Sequence, residues 1–128
     1  MARAASPQPT DVELRILNVL WERGACTVRE VHDALGDDRE TQYATTVKML
    51  LVMLDKGLVK RDEEARPLVY RAAVSREKTQ KRMLSDLLDR LYAGSAKTLM
   101  MHAVAAKKAT PDELAEVRRF LDELEKSS

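Results

Sequence analysis

The 128-residue chain has a single cysteine, Cys26, so it can form neither an internal disulfide nor a thiolate-rich metal cage. Glycine is scarce, with four residues and no glycine-rich phosphate loop among them. HExxH and GxSxG motifs are absent, and no paired carboxylates stand in a setting that reads as a cleft, so no enzyme and no cofactor are expected. The two histidines, His32 and His102, lie far apart and lack ligand spacing, which leaves no metal site to expect. Aromatic residues are 4% of the chain, so any core is aliphatic, with Trp21 as its one large anchor. No apolar run approaches the roughly eighteen residues of a membrane span. The opening MARAASPQPT has no apolar segment of signal-peptide type; residues 1–9 read as a short disordered lead, and the cytoplasm is the expected compartment. Neither sign of charge dominates, with 22 Lys and Arg against 21 Asp and Glu.

What is present is helical punctuation. Thr10/Glu13, Thr27/Glu30 and Thr110/Glu113 are capping boxes, and Pro111 follows the last at a first helical position. A first helix is expected from Thr10 to about Arg23, with Leu14, Leu17 and Leu20 inward and Gly24 as its stop. A second follows Thr27 to about Leu35, burying Val28, Val31, Ala34 and Leu35. Gly36 ends it, and Asp37 to Glu40 reads as a polar turn. Cys26 beside Thr27 reads as a small buried hydrophobe.

The third helix, Gln42 to Gly57, carries the most information. Val47, Leu50, Leu51 and Leu54 recur at i, i+3, i+4 and i+7 and are expected to be buried. Thr45, Lys48, Met49, Val52 and Lys56 then face outward. Hydroxyls, a methyl-bearing valine, a methionine and lysines suit a DNA major groove, where base edges and thymine methyls lie beside phosphates. Leu58 to Asp62 and Leu68 to Ala72 read as strands around the tip Glu63 to Pro67. Helix, helix, turn, helix and hairpin is the order of a winged helix-turn-helix. Between Gln42 and Arg61, Lys48, Lys56, Lys60 and Arg61 stand against Asp55 alone, with Arg66 and Arg71 close behind, a local basic patch suited to phosphate contacts. Two function classes stay open on these residues: a DNA-binding regulator, or a winged-helix module that docks on proteins and never touches DNA. Thr45, Thr46 and Lys48 are equally the first turn of an ordinary helix, Met49 or Val52 can pack inward, and Thr46 lies nearer the buried side.

From Ser75 the chain is helical again. Met83, Leu84, Leu87, Leu88 and Leu91 form one stripe, and Leu114, Val117, Leu121 and Leu124 another. Between them Lys97 to Ala106 is apolar on nearly every side, through Leu99, Met100, Met101 and Val104. Some fifty residues in three helices bury little apolar surface alone, so a partner is expected, the simplest being a second copy of the chain.

The stretches TDVELRILNVLWERGACTVREVHDAL, YATTVKMLLVMLDKGLVKR and RPLVYRA resemble, in order and spacing, the signature segments of the penicillinase-repressor family, the BlaI/MecI type with the copper-responsive CopY repressors as cousins. YAGSAKTLMMHAVA is similar to the family's tail segment. The resemblance implies a dimeric repressor on a dyad operator, controlling β-lactam-resistance or cell-envelope stress genes. It implies a winged-helix domain over residues 10–76 and a helical dimerisation arm over 77–128. Thr45, Thr46 and Lys48 would meet bases or phosphates, and Arg66 would be the wing's phosphate contact. A membrane sensor protease would cut within the arm, where the family's Asn-Phe pair aligns with His102-Ala103. The cysteine cluster of the copper-responsive branch is missing.

Overall fold

The computed structural model describes residues 8–36, 42–106 and 109–127. Most of the expected lead and all of the expected turn from Asp37 to Glu40 lie outside the described residues. The element order is α1 (Asp11–Arg23), β1 (Cys26–Thr27), α2 (Val28–Leu35), α3 (Tyr43–Lys56), β2 (Val59–Asp62), β3 (Val69–Ala72), α4 (Arg76–Leu91), α5 (Ala96–Ala106) and α6 (Pro111–Ser127). The chain forms two compact units divided after Met83, inside α4.

The three capping boxes all close. In the first, the Glu13 N–H donates to Thr10 Oγ1 at 3.2 Å and the Thr10 N–H to Glu13 Oε1 at 3.0 Å. Thr27 with Glu30 and Thr110 with Glu113 repeat the exchange, fixing where α1, α2 and α6 begin. Gly24 at φ 86° and Gly57 at φ 84° end α1 and α3 in conformations that a Cβ would strain.

The first unit holds the core, built from Ile16, Leu17 and Leu20 of α1, Val31 of α2, Leu50 and Met53 of α3, and Leu58, Val59, Tyr70 and Cys26. Burial, and then the negative charge of Glu30, push the Cys26 thiol above its ordinary pKa, which suits a packing role and not a reactive one. Trp21 packs against this core, and its Nε1–H donates to the Val74 carbonyl at 3.0 Å, fastening α1 to the segment that enters α4.

Three sequence expectations need correction. In α1, Ile16 takes the deepest position and Leu14 is only half-buried. In α3 the buried residues are Thr46, Leu50 and Met53, while Val47 and Leu54 are half-buried and Leu51 is 45% exposed. Apolar pattern alone treats Thr46 as polar; here its hydroxyl is hydrogen-bonded to His32, so the helix turns that side inward and Leu51 outward. The third is β1, which had not been expected and which pairs antiparallel with β3 to give the order β1-β3-β2. Two residues show no periodicity, and Thr27 already reads as a cap.

One ion pair crosses the unit. Lys56 Nζ at the end of α3 donates to Glu13 Oε2 at 2.7 Å, and Glu13 is 2% exposed. Burial opposes the charge on Glu13, but hydrogen bonds from Lys56 and from the Thr10 N–H, with the Lys56 charge, outweigh it and hold the carboxyl below its ordinary pKa. A depressed folded pKa means stability present above the unfolded value and lost as pH falls through the folded one.

In the second unit, α5 and α6 have no buried residue among those described. Leu84, Leu87, Leu91, Val104, Val117, Leu121 and Leu124 are exposed by 41% or more. Leu88, Leu99 and Leu114 are half-buried.

Replacing Lys56 with Met keeps the packing stem but strands a buried carboxylate. The expected loss is about 2 kcal/mol at pH 7, below the range for fully buried pairs because Lys56 is partly exposed. Urea unfolding from pH 7 downward checks this: the deficit should shrink as pH falls through the depressed pKa of Glu13 in the parent, where the carboxyl loses the charge that Lys56 answers.

Candidate nucleic-acid interface

The exposed side of α3 consists of Ala44, Thr45, Lys48, Leu51, Val52 and Asp55. Lys48 makes no ion pair among the described residues. Lys48, Thr45, Leu51 and Val52 offer a cation, a hydroxyl and two aliphatic side chains, a set matched to phosphate, base edge and thymine methyl, while Ala44 adds a methyl and Asp55 a carboxylate near the far end. At its N-terminal end, Thr45 lines a cleft shared with Val12 and Arg15 of α1, Leu35 of α2, and Met49. Nearby, the Arg29 guanidinium lies 4.3 Å from the centre of the Tyr43 ring.

Behind that face, His32 Nδ1 and Thr46 Oγ1 are hydrogen-bonded at 2.8 Å, and the His32 ring meets Tyr43 edge-on at 5.4 Å. This contact sets the rotation of α3 against α2 and hence which residues face outward.

The wing is the β2–β3 hairpin. Its register places Lys60 opposite Arg71 and Arg61 opposite Tyr70. Alternation puts Lys60 and Arg71 together on the outer face, both exposed, with no ion-pair partner among the described residues. Like charges directly opposite one another destabilise a hairpin, and an anion bound between them would relieve that cost.

The sequence candidates therefore divide. Thr45, Lys48 and Val52 stand on the exposed α3 face and Lys60 on the outer wing. Thr46, 1% exposed, is a positioning group behind the face and cannot reach a ligand. Met49 is half-buried against the core. Lys56 is turned away to Glu13. Arg61 is half-buried, with Nε 2.9 Å from Glu63 Oε2 and Nη1 3.3 Å from the Tyr70 hydroxyl, so its charge is largely spent within the wing. Arg66 folds back, Nη1 donating to the carbonyls of Glu63 and Ala65 at 2.7 Å each, and braces the tip. Sequence reasoning placed Arg71 beside the basic patch but not among the contact residues, and left Leu51, Arg29 and His32 out of the site. The pairing of Arg71 with Lys60 was within reach, because strand alternation across the expected tip sets the two opposite each other. The other three depend on how the helices are rotated against each other.

A sequence model of the family described as penicillinase repressor matches residues 9–123. The chain belongs to the penicillinase repressor family. Among these repressors it is 31% identical over 117 residues to the transcriptional regulator BlaI of Mycobacterium tuberculosis, covering 90% of this chain and 83% of that protein. It is 24% identical over 117 residues to the penicillinase repressor of Bacillus licheniformis, covering 91% of each. A solution structure of the Bacillus licheniformis BlaI monomeric form with the blaP half-operator aligns over 57% of this chain and 89% of that one, at 27% identity and a TM-score of 0.49. No helix among the described residues is long and apolar enough to cross a membrane, and none of their His, Cys, Asp and Glu side chains cluster as a metal site would require.

Thr46→Val keeps shape and removes the bond to His32. It should cost about 1 kcal/mol, read by chemical denaturation, whereas Thr45→Val on the exposed face should stay within about 0.5 kcal/mol of the parent.

Proposed function

We propose that the protein is a sequence-specific DNA-binding transcriptional repressor, acting as a homodimer on a dyad operator that controls β-lactam-resistance or cell-envelope stress genes. The observation that carries this reading is the α3 face: Thr45, Lys48 and Val52 are exposed on a helix otherwise fixed in the core. The cross-strand cations Lys60 and Arg71 on the wing add phosphate-binding capacity. Its family relatives carry the names penicillinase repressor and transcriptional regulator, which supports the same role here.

In this reading α3 lies in the major groove, with Thr45 at a base edge, Leu51 and Val52 toward thymine methyls, and Lys48 on a phosphate. The wing meets the adjacent backbone through Lys60 and Arg71. The second unit is the dimerisation arm, because its exposed leucines and valines need a cover and a second copy presents the same stripe. Release is by a cut within α5, around the exposed His102 and Ala103, made by a membrane sensor protease; it separates α6 from the rest of the arm.

Electrophoretic titration of the upstream DNA at several salt concentrations tests the reading. Lys48→Ala and Arg71→Ala should each lower the slope of log affinity against log salt by about one, while Lys56→Met should leave the slope unchanged. Thr45→Ala should cost about 1 kcal/mol or more on the operator alone. Equal affinity for operator and random DNA at every salt concentration would instead favour a protein-docking module. Leu87→Asp with Leu91→Asp should give a monomer in sedimentation and weaken dyad binding by roughly a hundredfold.

Limited digestion with thermolysin checks the arm's exposure. In the Leu87→Asp, Leu91→Asp monomer, first cuts should fall in α5 or α6, since neither buries a residue within one chain, and only later in α1 to α3.

A further inference from the structure

Away from the α3 face and the wing's outer surface, the first unit contains a cavity of about 540 Å³, within the roughly 300–1,000 Å³ of small-molecule sites. Its walls come from Pro9 before α1, the end of α3 with Gly57 and Leu58 after it, the segment after β3 and the first two turns of α4. Leu58, Val74 and Met83 make the apolar part. Lys56, Lys78 and Arg82 also line it, and no carboxylate does. Lys56 is committed to Glu13, but Lys78 and Arg82 are exposed and form no ion pair among the described residues.

Two features point to an anion. Lys78 and Arg82 are i and i+4 on α4, a like-charge spacing that destabilises a helix unless a counter-charge sits between the two. The neighbouring Glu77 and Lys81, at the same spacing, pair with each other at 3.4 Å and leave the first two unanswered. Thr79, 8% exposed, lines the cavity too and adds a hydroxyl donor to the wall that carries Lys78 and Arg82. The chain's own opening segment, MARAASP, brings Arg3 and no acid, and does not complement two cations.

We infer that this cavity binds a small organic anion with an apolar body, its carboxylate or similar head held by Lys78, Arg82 and the Thr79 hydroxyl and its body against Leu58, Val74 and Met83. Such a ligand bridges the segment that ends α3 and the helix that runs on into the second unit, so it is placed to act as an effector. The inference does not depend on DNA binding, and its test uses none.

The probes are 4-phenylbutyrate and the neutral 4-phenyl-1-butanol, titrated into the full-length protein and followed by amide NMR shifts. The acid should saturably shift Leu58, Val74 and Thr79, and the alcohol should bind roughly tenfold more weakly or not at all. Lys78→Gln with Arg82→Gln should weaken the acid by roughly tenfold or more, while the charge-matched pair Lys81→Gln and Arg90→Gln should not. Equal affinity for acid and alcohol, an unaffected Lys78/Arg82 double variant, or no saturable shift at millimolar acid would each overturn the proposal.

Discussion

The Glu13 carboxylate is the joint on which the first unit depends. One oxygen accepts the Thr10 N–H and closes the cap that starts α1; the other accepts Lys56 and anchors the last turn of α3. A carboxylate 2% exposed is tolerable only with such partners, and here the partners are the two helices whose relative placement matters most. With the end of α3 held by Lys56 and its start held by Thr46 on His32, the helix has little freedom to roll. The exposed set on α3 follows from those two polar contacts as much as from the leucines.

That economy explains why basic side chains near the third helix are unequal. Lys56, Arg61 and Arg66 all belong to the local basic patch, yet each is spent on the fold, on Glu13, on Glu63 and Tyr70, and on the wing-tip carbonyls respectively. Lys48, Lys60 and Arg71 have no such engagement. A balanced total of 22 cations and 21 anions therefore conceals a small set of uncommitted positive charge. The family's function does not require a basic protein, only basic groups left free where they are useful.

Helix starts were legible because a hydroxyl followed three residues later by glutamate has a local physical meaning, and Thr10, Thr27 and Thr110 all behave accordingly. The hairpin was legible from its alternation and its polar tip. What escaped was whatever depends on two elements at once. Leu51 looked like core because its spacing to Leu50 and Leu54 is helical, but the rotation of α3 is decided by the distant partners His32 and Glu13. β1 escaped because a two-residue strand exists only through its pairing with Val69 and Tyr70. The outward-facing residues Thr45, Lys48 and Val52 were readable from periodicity; the diversion of Lys56 was not, since Glu13 lies 43 positions away.

The facing cations of the wing have a consequence for the free protein. Lys60 and Arg71 repel each other across the β2–β3 ladder, and dissolved salt screens that repulsion over about ten ångströms at ordinary ionic strength. Added salt therefore steadies the hairpin and, in the proposed reading, loosens the phosphates that the same two side chains would grip. Firmness of the wing and the hold on phosphate proposed for it run in opposite directions along one axis, so the hairpin is least at ease where it would bind best.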